Sequence, residues 1–501
     1  MNENSVSLYS NSGSSVPFDF IEFGVGYDFH TLVCWTIHNH KIAKMSDEGS
    51  SSAKQTRYML RSSTRNGLVV AEQNEDTNGQ RKRKGPLRLM DLNDDCLLAI
   101  IGNMNVIELC DVAETCKRTQ ALAQYHFHLK HRRLDLVSLA GPKPKLALRL
   151  LRNFGGEALS LNMARDLFPH KEKVASRKLL SLIAKYCCPN ILTELSLSQF
   201  IITPDPMKDL KELFGSLEML KLEKTTMEDC DLSPFKDNLK VLNMALGNFH
   251  YSPYPARIYN SLIKFVNTAK SLKVLSIDNH GPSLPSRVFI AIGKFKDLKE
   301  LELDGRDTCR KTFQRNCSHL FALNNLKVLK INCHGYFVQH LVEGLAANNI
   351  AIEHLSLKNG TFDNGVSVAT AISKLESIMI LKLFVMGNVN NAHLLVMAKG
   401  LKLLTELVVI GWFSVNATQQ GIVEMLREAD RLSWLEISTR QFKFNIDTYN
   451  EMLAIIKKRP EHIKLQVIFG HWSGESFDRK GNLRSNDKWL SVKEVSTLYD
   501  D

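Results

Sequence analysis

Two stretches bring together the side chains from which covalent catalysis is commonly built. Cys187 and Cys188 follow His170, and Cys333 adjoins His334. Either set would offer a thiol with an imidazole to take its proton. A thiol becomes a useful nucleophile only in an accessible, electropositive setting that favours the thiolate. Cys187-Cys188 precedes Pro189 at an expected helix end, and Cys333-His334 sits beside a strand pattern, so both fit structural roles better. The chain contains no Gly-x-Ser-x-Gly, no glycine-rich phosphate loop and no His-Glu-x-x-His. Its ten cysteines make no Cys-x-x-Cys pair and no Cys/His group with zinc-ligand spacing. The reading is therefore a chain without catalytic, cofactor-binding or metal-binding residues, kept in a reducing compartment.

Charge is the next chemical resource. The net charge is +11 over 501 residues, and its distribution says more than its total. Lys117 to Lys178 holds 14 Lys and Arg against 4 Asp and Glu, a surplus of 10. The long remainder is close to balance, so no extended basic track is offered to phosphates, and nucleic acid is an unlikely partner. Arg132, Arg133, Lys143, Lys145, Arg149 and Arg152 are read as solvated surface, with an acidic partner as the alternative. Arg81-Lys82-Arg83-Lys84 fits either a basic linker or a nuclear import signal. No apolar run approaches a membrane span, and the start MNENSVSLYSNSGSSV has no basic region leading into an apolar core. A cytoplasmic or nuclear location and no membrane partner are expected.

The elements that would position any of these residues come from a repeat. The pattern aliphatic-x-x-Leu-x-aliphatic recurs as ILTELSL, SLEMLKL, NLKVLNM, SLKVLSI, DLKELEL, NLKVLKI, AIEHLSL, SIMILKL, LLTELVV and RLSWLEI. Its middle leucines run from Leu195 to Leu435 in steps of 22 to 33 residues, the spacing of leucine-rich repeats. EALSL at Leu159 is a partial earlier copy and HIKLQVIF near Leu465 a later one. Alternation puts both leucines of Leu-x-Leu on the interior side of a short strand and sends the residue between them outward. Helical stripes lie between: Val366, Ala369, Ile372 and Leu375; Ile422, Met425 and Leu426; Tyr449, Met452, Leu453 and Ile456. Each repeat closes its core only against its neighbours. The expected fold is an α/β solenoid with parallel strands on the concave side and helices on the convex side. Outward strand positions would then form a binding face. Ile380, Phe384, Val408, Ile410, Trp412 and Trp434 make its C-terminal part apolar and are the candidate substrate-binding set.

Ahead of the repeats lies LMDLNDDCLLAIIGNMNVIELCDVAETCKRTQALAQYHF, from Leu89 to Phe127. Asn93, Asp94 and Asp95 suit a helix start, where their oxygens accept from free N–H groups and their charge complements the dipole. Leu97, Leu98, Ile100 and Ile101 form the apolar side, and Gly102-Asn103 ends the helix. A second helix should carry Ile107, Leu109, Val112, Ala113 and Cys116, and a third Leu122, Ala123, Phe127 and Leu129. Three short helices cannot bury all this surface among themselves, so another domain or protein should cover some of it.

These residues resemble an F-box. Leu92, Asp94-Asp95, Leu97-Leu98, Ile100-Ile101, Leu109, Val112, Cys116-Lys117-Arg118, Leu122-Ala123 and Phe127 follow the family pattern in order. Asn93 stands where that pattern has proline, and Thr119 where an aromatic is common. With the repeats behind it, the chain resembles the F-box/leucine-rich-repeat substrate receptors of SCF-type cullin-RING ubiquitin ligases. The resemblance implies docking on a Skp-type adaptor, and through it a cullin, by Leu92, Asp94, Leu97, Leu98, Ile101, Leu109, Val112 and Cys116. It also implies repeats that select a protein for ubiquitination, with catalysis left to partner subunits. Loss of the proline at Asn93 implies weaker docking than the family pattern gives. A repeat scaffold or inhibitor without a ubiquitin role is the alternative. The expected layout is a disordered leader over 1–86, an F-box-like unit over 87–135, about eleven repeats over 136–470 and a polar tail over 471–501.

Overall fold

The computed structural model describes residues 89–495 except 142, 168–171, 204–214, 228–234, 236, 247–254, 270, 280–283, 306–314, 336, 361, 363–365, 386–388, 412–414, 439–445, 460–462 and 471–487. The leader expected over 1–86 lies outside the described residues. The chain divides into two compact units, Met1–Ile100 and Ile101–Asp501. The division falls inside the expected F-box-like segment, so its second and third helices belong to the same unit as the repeats.

In the first unit a single 3-10 turn, Leu89–Asp91, leads to the start of helix α1 (Asp94–Ile101). Asn93 caps that helix: its side-chain oxygen accepts from the Cys96 N–H at 2.9 Å. Asp94 and Asp95 occupy the first turn, where the free N–H groups favour negative charge.

The second unit begins with α2 (Val106–Ala113) and α3 (Lys117–Lys130), followed by α4 (Leu136–Ala140), α5 (Pro144–Phe154) and α6 (Glu172–Tyr186). Later helices are α7 (Pro255–Thr268), α8 (Ser286–Ile292), α9 (Phe337–Ala347), α10 (Ser367–Ser373), α11 (Asn391–Gly400), α12 (Gln419–Glu428) and α13 (Ile446–Lys457). The strands are β1 (Arg133–Asp135), β2 (Ser160–Ala164), β3 (Glu194–Ser198), β4 (Ile201–Ile202), β5 (Met219–Glu223), β6 (Thr226–Met227), β7 (Val241–Leu246), β8 (Val274–Asn279) and β9 (Glu300–Gly305). They continue as β10 (Val328–Gly335), β11 (His354–Gly360), β12 (Ile380–Val385), β13 (Val389–Asn390), β14 (Glu406–Gly411), β15 (Val415–Asn416), β16 (Trp434–Ser438), β17 (Leu465–Gly470) and β18 (Leu490–Val495).

Fourteen of these strands form one parallel sheet in chain order, β1-β2-β3-β5-β7-β8-β9-β10-β11-β12-β14-β16-β17-β18. Two small two-stranded sheets, β4 with β6 and β13 with β15, lie beside it in the strand-to-helix turns. The register is that of the repeat, since Leu195, Leu220, Leu242, Leu275, Leu301, Leu329, Leu355, Leu381, Leu407 and Leu435 are paired across neighbouring strands. All ten are buried. Burying one leucine contributes about 1.5–3 kcal/mol, and each strand of the large sheet from β2 to β17 buries two apolar side chains on its helix-facing side, so stacking drives assembly. The helices α9 to α13 pack side by side in chain order against that face.

Polar residues of the repeat also have defined work. In SLEML, SLKVL and SIMIL, the hydroxyls of Ser216, Ser271 and Ser377 donate to the carbonyls of Leu192, Leu239 and Ile352 in the preceding repeat, at 2.9, 3.0 and 2.9 Å. Each satisfies a turn carbonyl that burial would otherwise leave unpaired.

Of the two covers expected for the apolar surface of α2 and α3, the rest of the chain supplies one: α5 packs against both helices, and Phe127 stacks on Phe154 with ring centroids 4.7 Å apart. Two expectations change. The segment over 471–501 is not only a polar tail, because Leu490–Val495 pairs in parallel with β17 and extends the sheet. Val366 is not part of its predicted stripe: it precedes α10 as the N-cap residue and is exposed, and Val368 is buried instead.

Candidate functional site

Two surfaces carry the predicted binding residues. In the helical segment, Leu92 and Leu98 are half-buried, Asp94 is exposed and Leu97 is buried. Ile101, Leu109 and Val112 are buried in the second unit's core, at 2%, 0% and 6% exposure. In this arrangement they shape the helices but do not reach the surface. Cys116 does not extend the second helix; it is the N-cap residue of α3 with an extended backbone, φ −162° and ψ 166°.

The Cys116 turn is organised by Thr119, the residue that departs from the family pattern. The Thr119 hydroxyl donates to the Cys116 carbonyl at 2.9 Å and lies 2.7 Å from the Thr115 hydroxyl and 3.4 Å from Cys116 Sγ. The hydrogen bond from Thr119 holds the Cys116 thiol below its ordinary pKa. A bulky aromatic could not enter this buried position without displacing the network.

Charge fixes α2 to α5. Arg149 Nε donates to both carboxylate oxygens of Glu114 at 2.9 Å, and its Nη2 reaches Asp111 at 2.6 Å. Asn153 donates to Glu114 at 3.2 Å and lies 3.4 Å from Cys110 Sγ. The Arg149 hydrogen bond holds the Glu114 carboxyl below the usual carboxylate range, and the two carboxylates raise the Arg149 guanidinium above its own. This clamp needed the tertiary fold, because 35 or more residues separate its partners.

The second surface is the sheet face opposite the helices. Register places Ile380, Glu406 and Trp434 in one row, Lys382, Val408 and Glu436 in the next, and Phe384, Ile410 and Ser438 in the third. Of the six predicted residues, Ile380, Phe384 and Trp434 are half-buried, and Trp412 lies outside the described residues. Val408 and Ile410 are only 4% and 6% exposed. Val408 is flanked by the long side chains of Lys382 and Glu436, which shield it. Phe384 and Ile410 adjoin across the strands, whereas Glu406 separates Ile380 from Trp434, so the apolar patch is smaller and more interrupted than its spacing suggested.

Next to that patch lies a charged band that spacing alone did not define. Lys330 bonds Glu300 at 2.8 Å and lies 3.8 Å from Glu302, while Lys382 bonds Glu406 at 2.7 Å. His354 stands on the strand between the two lysines. Its Nε2 is buried without a hydrogen-bond partner, and burial, reinforced by Lys382 and Lys330, holds its pKa below the ordinary histidine value. The outward positions were readable from alternation, but which charges pair depends on inter-strand register.

Among the described residues the thiol candidates assemble no reactive centre. Cys187 is buried, and burial pushes its thiol up to about 12. His170 lies outside the described residues, as do the side chains of Cys333 and His334. Among the described residues, no group of three His, Cys, Asp or Glu is placed to hold a metal ion, and no helix is long and apolar enough to cross a membrane.

No family model matches the chain, and no curated protein matches it. Among solved structures, it is similar to a chain of the Rad7 and Elc1 complex from yeast at 13% sequence identity and a TM-score of 0.39. That match covers 93% of this chain and 97% of the other. Agreement at this level is too loose to transfer a function.

Proposed function

We propose that this chain is the substrate-recognition subunit of an SCF-type cullin-RING ubiquitin ligase. The carrying observation is the order of parts: short helices bearing the F-box-like residues at Asp94–Ile101, Val106–Ala113 and Lys117–Lys130, then a parallel repeat sheet with an open polar face. In this reading the helical segment docks a Skp-type adaptor through its accessible residues, Leu92, Asp94, Leu98 and Cys116. The sheet face around Lys330, His354, Lys382 and Phe384 selects a protein substrate. The chain supplies proximity, and partner subunits supply the chemistry.

Substitutions must avoid the buried positions, because a lysine at Leu97 or Ile101 would unfold the helix and release a partner for the wrong reason. Asp94→Lys with Leu98→Lys reverses charge and removes apolar contact at accessible sites. Affinity purification of the wild-type chain should recover a Skp-type adaptor and a cullin, and the double variant should lose both by roughly tenfold or more. Its thermal unfolding should stay unchanged. A wild-type chain that recovers no adaptor, or a variant that retains it, refutes the docking reading.

One observation favours the alternative of a protein-binding scaffold. The Arg149 clamp and the burial of Leu109 and Val112 make α2 and α3 a lid over the first repeat, as a solenoid end requires. Under that reading purification returns partners of the sheet face without adaptor or cullin.

A further inference from the structure

The basic surplus between Lys117 and Lys178 is concentrated on one part of the fold. On α5, Lys145 and Arg152 are exposed seven residues apart, on the stripe that also carries Arg149. On α6, Arg177, Lys178 and Lys185 are exposed at positions one helical face shares, with Ser181 between them. The two helices are packed neighbours. Helix α5 contains no acidic residue, and α6 has Glu172 alone.

Several cations of the repeat array are paired. Along the sheet, Lys240 pairs with Glu218, Lys327 with Glu353 and Lys382 with Glu406, each across neighbouring strands. Among the described residues, Lys145, Arg152, Arg177, Lys178 and Lys185 form no ion pair. Arg152 acts at a distance on Glu114, and Lys185 lies 5.2 Å from the Tyr186 ring centroid. A face that gathers five exposed cations without ion pairs, with Glu172 the one acidic residue in its two helices, suits an external anion.

We propose that the outer faces of α5 and α6 dock an acidic segment of a partner polypeptide. A rise of 1.5 Å per residue sets Lys145 and Arg152, and likewise Lys178 and Lys185, about 10 Å apart along each axis. Packed helices lie about 8–10 Å apart, so the charges outline a compact quadrilateral. An extended peptide advances about 3.4 Å per residue, and carboxylates three residues apart span the same length. Duplex nucleic acid fits less well: a single DNA-binding module covers roughly 600–1,000 Å² and tracks many phosphates. This face offers five cations, and no aromatic residue is exposed on the described parts of either helix. The surface is independent of any adaptor, so its test stands apart from the ligase reading.

Fluorescence anisotropy of the full chain with labelled oligo-glutamate, oligo-glutamine and a DNA duplex of matched length tests the assignment. Oligo-glutamate should bind in a salt-dependent manner, more tightly than the other two. Arg152→Glu with Lys178→Glu should weaken it about tenfold or more at unchanged far-UV circular dichroism, and Lys399→Gln at the exposed end of α11 should leave it unaltered. Hydrogen exchange on the wild-type chain supplies a readout that needs no variant: the peptide should protect α5 and α6. Absence of oligo-glutamate binding, equal binding by the charge-reversed chain, tighter binding of the duplex, or protection confined to other elements would overturn the proposal.

Discussion

Arg459 carries a guanidinium into the interior near the end of the array, where it is 3% exposed. Nη1 donates to the Leu432 carbonyl at 2.6 Å, and Nη2 to those of Ala429 and Leu426 at 2.8 and 3.4 Å. It thereby supplies donors to carbonyls at the end of α12 and the turn after it, where the Ala429 carbonyl also accepts from the Leu432 N–H at 3.2 Å. Burial lowers its pKa, yet three carbonyl partners keep the charged form useful. Arg459→Met should lower stability by roughly 3 kcal/mol in urea titration, since each buried carbonyl left unpaired costs about 1–3 kcal/mol. Arg459→Lys should restore only part, because an ammonium cannot reproduce the planar fork. His354 gives a pH dependence. Its folded pKa lies below the ordinary 6.5, so the unfolded chain binds the proton more readily. Stability is therefore full above that value and declines as pH falls through it toward the folded pKa. Burial shifts His126 and His131 in the same direction. Urea midpoints should fall between about pH 7.5 and about pH 5.5, and His354→Asn should flatten part of that slope. A variant with the full wild-type slope would show that His354 does not titrate as described.

At the scale of elements, the helices owe their close approach to glycine. A side-chain carbon built at Gly400, the last residue of α11, would collide with the carbonyl of Ser373, the last residue of α10. One at Gly344 in α9 would meet the Phe321 ring first. Backbone cannot yield as an aromatic side chain can. Gly400→Ala should therefore destabilise by about 1–3 kcal/mol, whereas Gly344→Ala should cost less once the ring turns aside. Paired thermal melts would separate the two, and equal losses would contradict this account. The start of α1 was legible because capping is local: Asn93 stands where the helix begins. Asn105, which the sequence reading did not single out, caps α2 and accepts from both the Ile107 and Glu108 N–H groups at 3.0 Å. The break at Cys116 was not legible, because its apolar spacing continues the pattern of α2. Thr119, which closes the turn, looked like a mere departure from the family pattern.

At the scale of the whole chain, the array is held by neighbours, so its last strand matters beyond its length. β18 covers the edge of β17, whose Leu465 N–H donates to the Trp489 carbonyl at 2.9 Å. Truncation before Trp489 should expose an unpaired parallel edge, lowering the melting temperature and increasing self-association in size-exclusion chromatography. A truncated chain that stays monomeric and melts like the full chain would remove β18 from the structural core. The polar composition of 471–501 concealed this strand, since Leu490, Val492 and Val495 are its only aliphatic residues and no full copy of the repeat surrounds them.

The amino-acid sequence by itself determined the repeat, its strand positions and the direction of alternate side chains, because a period of two within strands and of about 26 residues between them is written in neighbouring leucines. It also placed the helical segment whose residues resemble an F-box. Only the tertiary structure decided which of those residues remain accessible. Leu109 and Val112 are buried rather than open to solvent, Arg149 reaches two carboxylates far away in sequence, and Glu406 divides an apolar patch that spacing had joined. Periodicity is a local property of the chain. Burial, charge pairing and the continuity of a surface depend on which segments become neighbours once the repeats stack.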